Sequence, residues 1–156
     1  MEILLKKATM QDIEQIHEMQ INAFKPLLDK YQDYETSPGA ESVERVKRRM
    51  EHPQVSCYFI QLKSENIGHI RITMLDENTC LLSQMCILPQ YQENGYAQRA
   101  IKQVEALYPK VKKWMLDTIK QEPKLCHLYE KMGYKLTGEE KNIKDGMDLV
   151  DYAKHC

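Results

Sequence analysis

Hydrophobic and polar positions change period several times along the chain, and each change predicts an element. Ile3 to Lys7 is a short apolar run between charges and reads as a strand. Thr9, with Asp12 three residues on, predicts a helix start of capping-box type, with Asp in place of the usual Glu or Gln. Ile13, Ile16, Met19, Gln20 and Ala23 then recur at helical spacing. This helix is expected to run to about Phe24, because Pro26 interrupts it. The stretch from Leu27 to Gly39 carries tyrosines and carboxylates and ends in a turn signature, as a binding loop does. Ser42 to His52 reads as a short charged helix with Val43, Val46 and Met50 on its apolar face, closed by Pro53.

Val55 to Leu62, Ile67 to Leu75 and Cys80 to Leu88 are strand-like and separated by polar turns, which predicts an antiparallel meander. After Pro89 the period lengthens, with Tyr96, Ala97, Ala100, Ile101, Val104 and Leu107 along one side of a helix that stops near Pro109. Val111 to Thr118 reads as a strand and Pro123 to Met132 as a helix capped by Gly133. Tyr134 to Ile143 and Met147 to Lys154 flank the hairpin signal Lys144-Asp145-Gly146. The order β-α-α-β-β-β-α-β-α-β-β predicts an α/β (α+β) domain spanning 1–156. Its core is one mixed, mostly antiparallel sheet with helices on both faces.

Composition narrows the chemistry. Six glycines in 156 residues are scattered singly, so neither a dinucleotide-type G-x-G-x-x-G nor a G-x-x-x-x-G-K-[ST] loop is present. The 22 Lys+Arg against 23 Asp+Glu give a net charge of -1, and no reason to expect nucleic-acid binding. Short apolar runs argue against a membrane span and for a soluble, cytoplasmic protein. The five cysteines are odd in number with no C-x-x-C pair, which favours free thiols and gives no support to a metal site. The run Arg45-Val46-Lys47-Arg48-Arg49 reads as solvated helix surface.

The stretch Met85 to Ala100 is the most informative. A buried strand ends at Pro89, a polar loop turns, and a helix begins near Gly95 with small or uncharged side chains at its mouth. A helix start presents unpaired N–H groups and partial positive charge, so it can hold a pyrophosphate without lysines.

Gln92-Glu93-Asn94-Gly95-Tyr96-Ala97 resembles the Q/R-x-x-G-x-G/A acyl-CoA signature of the GNAT superfamily of N-acetyltransferases, and Ile87-Leu88-Pro89 resembles the apolar-x-Pro that precedes it. Leu128-Tyr129-Glu130-Lys131-Met132-Gly133-Tyr134 is similar to a second signature of that superfamily, with Tyr134 in place of Phe. The resemblance implies a V-shaped opening between the Cys80 to Leu88 and Val111 to Thr118 strands, into which the pantetheine of acetyl-CoA inserts. It implies backbone contacts to pantetheine from Met85, Cys86 and Ile87, and a pyrophosphate loop of Gln92, Glu93, Asn94, Gly95, Tyr96, Ala97 and Gln98. Glu122 stands where many members carry an asparagine that contacts the cofactor, and Tyr129 where many keep a general acid.

A tyrosine, with an ordinary pKa near 10, is protonated at neutral pH and can donate to a departing thiolate. Asp117, at a strand end, stands where some members of that superfamily keep a carboxylate base, so the resemblance makes it the candidate base for the acceptor amine, as an alternative to an aspartate standing in water. His69 is a candidate acceptor contact or an ordinary sheet histidine. Tyr31, Tyr34 and Glu35 are expected to bound the acceptor, a primary amine of a small molecule or peptide. Direct transfer is expected rather than an acyl-cysteine intermediate, because Cys86 lies in an apolar strand with no histidine near it in sequence. The alternatives are a non-catalytic acyl-CoA-binding regulator and a protein-interaction module using the charged helix. The protein is expected as a monomer or homodimer, with the last strand as a sheet edge for a partner.

Overall fold

The computed structural model describes residues 2–156. Where apolar residues alternate at every second position the chain forms strands. Where they recur at three and four it forms helices. The elements are β1 (Ile3–Lys7), α1 (Ile13–Tyr31), α2 (Val43–Glu51), β2 (Val55–Leu62), β3 (Glu65–Met74) and β4 (Thr79–Ile87). They continue with α3 (Tyr96–Leu107), β5 (Lys113–Ile119), α4 (Pro123–Lys131), β6 (Lys135–Lys144) and β7 (Met147–His155). All the strands join one seven-stranded sheet in the order β1-β2-β3-β4-β5-β7-β6. The capping box at Thr9 and Asp12 is formed, and it opens a short 3-10 turn that leads into α1.

Alternation along β2 divides the core. Cys57 and Phe59 face α1 and α2, where they join Ile13, Ile16, Met19, Val46 and Cys86. Tyr58 and Ile60 face the opposite side with Ile70, Ile72, Leu82 and the α3 residues Ala100, Ile101 and Val104. The sheet is thus buried on both faces, and β3 and β4 lie near its middle. The closest approach is at Gly68, where a Cβ would stand 2.1 Å from the Cys86 carbonyl oxygen, so the β3–β4 pairing admits no side chain there.

The sheet opens at one place. β4 and β5 run parallel, and their pairing covers only Thr79–Leu81 against Lys113–Met115. Beyond Leu81 the two strands diverge, and a bulge in β4 accompanies the divergence. Arg71 pairs with Gln84 but Ile72 with Leu82, leaving Ser83 as the extra residue, its hydroxyl 2.7 Å from that of Thr73.

Two expectations are corrected. Helix α1 passes through Pro26 and ends at Tyr31, one turn and more beyond Phe24. A proline inside a helix costs about 3 kcal/mol. Tertiary contacts beyond it offset that cost. Gly39 packs against the Phe24 carbonyl and Leu28, Tyr31 is held by Glu122, and Gln32 closes the helix in a left-handed conformation with its N–H on the Leu28 carbonyl. The last strand is not an edge: β7 lies between β5 and β6, and the hairpin through Gly146 places the largely exposed β6 outermost. Among the described residues no helix is long and apolar enough to cross a membrane.

Candidate active site

The divergence of β4 and β5 opens a cavity of about 370 Å³. Its walls come from the second half of α1, the connection to α2, Arg49 of α2, β3, β4, the end of β5, α4 and the β6–β7 hairpin. Of the residues singled out in the sequence, Tyr31, Met85, Asp117 and Tyr129 line it.

Tyr129 is 7% exposed, with its ring edge-on to Tyr134 at 6.2 Å and tilted against Tyr152 at 6.5 Å. Its hydroxyl makes no hydrogen bond with a described residue, so it is available to a ligand in the cavity. Burial raises its pKa, and the charge of Asp117 adds to the effect. A thiol enclosed to the same extent moves upward too: the buried Cys57, Cys80 and Cys86 are each pushed up to about 12. Burial of this degree therefore raises a phenol and a thiol alike. Asp117 stands at the cavity mouth. Desolvation and Asp151 raise its carboxyl above the ordinary value, against a smaller pull from Lys141, and this makes it a better proton acceptor.

The loop after β4 is braced by its own side chains. Gln92 Nε2 donates to the Ile87 carbonyl at 2.9 Å, and Asn94 Nδ2 donates to the carbonyls of Tyr91 and Gln92 at 3.2 and 3.0 Å. Glu93 and Gly95 both have positive φ, 64° and 78°. Gly95 caps α3 with no side chain over the helix start, and a Cβ built on it would meet nothing within 4 Å. The first-turn N–H groups at Tyr96, Ala97 and Gln98 thus receive no side-chain cap from Gly95, the condition in which a helix start can accept an anion. Glu93 pairs with Lys124 at 2.7 Å, linking this loop to the start of α4.

Glu122 caps α4 by position and is bound from α1: it accepts from Tyr31 Oη at 2.5 Å and from Lys30 Nζ at 2.6 Å. Burial pushes its carboxyl up, but these bonds outweigh that and leave it below its ordinary value. The residue expected beside the cofactor is thereby the tie between the end of α1 and the start of α4.

Three expected acceptor contacts lie elsewhere. Tyr34 is 66% exposed and does not line the cavity, nor does the exposed Glu35, although Asp33 and Thr36 on either side of them do. His69 is wholly buried, with Nε2 2.7 Å from Gln84 Oε1 and Cys86 Sγ 3.5 Å from Nδ1. Cys86 thus has no histidine near it along the chain, but across the β3–β4 pairing His69 is its direct partner. Burial nevertheless lowers the imidazole to about 4 and raises the Cys86 thiol to about 12, and neither lines the cavity. The pair is a sealed thiol and a neutral imidazole, not an activated nucleophile.

Sequence reasoning missed a polar cluster in the α1–α2 half of the cavity. Arg49, expected on solvated helix surface, donates to both oxygens of Glu41 at 2.5 Å each, and Gln20 Nε2 adds a third bond at 3.0 Å. Burial works to raise Glu41, but the hydrogen bonds from Arg49 and Gln20 and the charges of Arg49 and Arg71 hold it down to about 2. Arg71 lines the same half. A lone charge in the strand Ile67-Gly68-His69-Ile70-Arg71-Ile72 was the available signal.

The model of the Acetyltransferase (GNAT) family matches residues 14–134. No curated protein is significantly similar in sequence. Solved structures are similar in fold. An acetyltransferase from Thermus thermophilus superposes with a TM-score of 0.78 at 17% identity, covering 100% of this chain and 98% of that one. A spermidine N-acetyltransferase from Vibrio cholerae, solved with CoA and spermine, gives 0.77 at 19% identity over 98% and 95% of the chains. The PaiA N-acetyltransferase from Thermoplasma acidophilum, solved with coenzyme A, gives 0.74 at 16% over 100% of each. At such identities these likenesses concern the fold.

Proposed function

The chain belongs to the GNAT acetyltransferase family, and from that premise we propose that it moves the acetyl group of acetyl-CoA directly to a primary amine of a small molecule or peptide. The observation that carries this reading is the gap between β4 and β5. It opens a cavity holding an unbonded tyrosine hydroxyl and a raised carboxylate, and the loop that follows β4 leads to an α3 start that carries no side-chain cap.

In this reading the first-turn N–H groups of α3 and the open Gly95 take the pyrophosphate, with Gln92, Glu93 and Asn94 shaping the loop around it. Pantetheine lies against the strand edge at Met85, Cys86 and Ile87 that β5 leaves unpaired, and backbone N–H groups there polarise the thioester carbonyl. Met85 presents its side chain to the cavity, whereas Cys86 contributes backbone alone.

An ammonium acceptor lies about three units above neutral pH and must lose its proton before it attacks. In this reading Asp117 takes that proton at the mouth. The freed amine attacks the thioester carbonyl, and as the tetrahedral intermediate collapses the carbon–sulfur bond breaks, Tyr129 donates its hydroxyl proton to the departing CoA sulfur, and the surplus proton on the new amide nitrogen restores the tyrosine. Because burial raises thiols as well as Tyr129, the transfer stays close to its solution cost of roughly 2 kcal/mol. Glu122 acts through α1 and α4 rather than on the nucleotide, holding the two walls at a fixed separation.

Titration of acetyl-CoA by calorimetry, paired with thiol release over an amine panel, tests the reading. Saturable binding with amine-dependent thiol release supports it. Tight binding without turnover on any amine favours an acyl-CoA-binding regulator instead.

A further inference from the structure

The α1–α2 half of the cavity contains a guanidinium with no counter-charge of its own. Arg71 is 8% exposed and lines the cavity. Its Nε is sealed from solvent without a partner, and the guanidinium makes no hydrogen bond or ion pair with any described residue. Of the acceptors in this cluster only the sealed Oε1 of Gln20 lacks a partner, and it makes no bond to Arg71. Glu41 is held by both Nη atoms of Arg49 and by Gln20. Asp33 takes the backbone N–H and the hydroxyl of Thr36. Gln84, the strand partner of Arg71, has its Oε1 2.7 Å from His69 Nε2. Asp117 stands across the cavity at the mouth, facing Asp151 and Lys141.

A buried charge left unpaired is costly, and such a group is retained where a ligand supplies what the fold does not. An arginine fork matches an anionic oxygen group, either carboxylate or phosphate, in a two-bond geometry that no neutral partner reproduces. We propose that the acceptor carries, besides its amine, a carboxylate or phosphate that docks on Arg71 in the α1–α2 half of the cavity. This rests on the acetyltransferase reading above and names the substrate class within it. The cavity of about 370 Å³ must also admit the acyl end of the cofactor, so the acceptor is small. Phe24 and Leu27 wall the same half and cover the carbons that join amine to anion. A polyamine, cationic at each nitrogen, meets Arg71 with like charge.

The test uses the intact protein with acetyl-CoA, measuring thiol release and acetylated product. Acceptors are offered in matched pairs, namely α-amino acids and β-alanine beside their amides, and O-phosphoethanolamine beside ethanolamine, with spermidine as a separate arm. The expected result is a kcat/KM at least about tenfold higher for an anionic member than for its neutral partner. Whether the amino acid or the phosphate pair carries that preference identifies the anion. Arg71→Met should collapse the ratio, chiefly through KM, and Arg71→Lys should restore part of it. Should Arg71→Met fail to fold, the wild-type ratio decides. Equal or better use of the neutral partners or spermidine, or a ratio unchanged in a folded Arg71→Met, overturns the assignment and leaves the acetyltransferase reading standing. Acetylation of no amine in any arm refutes both.

Discussion

Glu41→Gln is expected to destabilise the protein by about 3 kcal/mol at neutral pH. The carboxylate sits 10% exposed between α1 and α2, bound by Arg49 and Gln20 and attracted by Arg71. Its pKa falls from 4.5 to about 2, a drop of about 2.5 units, which at about 1.4 kcal/mol per unit gives that magnitude. Removing one partner of a buried pair typically costs about 3–5 kcal/mol, because the other is left uncompensated. The two magnitudes agree. The sign follows from the direction of the shift. A depressed carboxylate contributes fully above its unfolded value of 4.5, and the contribution is lost as pH falls through the folded value near 2. Urea unfolding at neutral pH and at about pH 3 reads both features. The gap between wild type and Glu41→Gln should be about 3 kcal/mol in the first and shrink to about 1 kcal/mol in the second. A loss under about 1 kcal/mol at neutral pH, or a gap that does not narrow in acid, would refute the reasoning.

Tyr129→Phe should lower kcat by well over tenfold, with acetyl-CoA affinity changed less than about threefold, in steady-state kinetics and calorimetry; an unchanged kcat removes Tyr129 from the mechanism. Gly95→Val should weaken CoA binding at least tenfold, because a branched side chain then projects over the α3 mouth. Its backbone strain, from a φ of 78° with nothing within 4 Å, should cost only about 1–2 kcal/mol in urea unfolding. Cys86→Ala should retain turnover, and no acetyl group should be found on Cys86 by peptide mass mapping during catalysis, since its thiol is sealed and neutral.

What could be read from sequence, and what could not, divides along local and tertiary lines. The loop at Gln92 to Gln98 and the helix after Gly95 were legible because a strand, a turn and a helix mouth follow one another within a few residues. Tyr129 was legible for the same reason, being carried in a compact motif on one short helix. The passage of α1 through Pro26 was not, because the contacts that hold its last turn come from the fold-back of Gly39 and from Glu122, which is far along the chain. The same segment does reach the cavity, through Asp33 and Thr36, but which of its side chains turn inward and which, like Tyr34 and Glu35, stay exposed is set by packing. The contact of His69 with Cys86 depends on strand register, which alternation alone does not fix. Glu41, Arg49 and Arg71 come from a loop, a helix and a strand. Only packing brings them together, although an arginine among isoleucines marks the position.

The central claim is that the opening between β4 and β5 is a site of acetyl transfer to an amine. Incubation of the protein with acetyl-CoA labelled in the acetyl group and the paired amines, followed by mass spectrometry, measures this directly. Label is expected in an N-acetylated amine in amounts equal to the CoA released. Label that stays in acetyl-CoA, or appears only in free acetate, would contradict it.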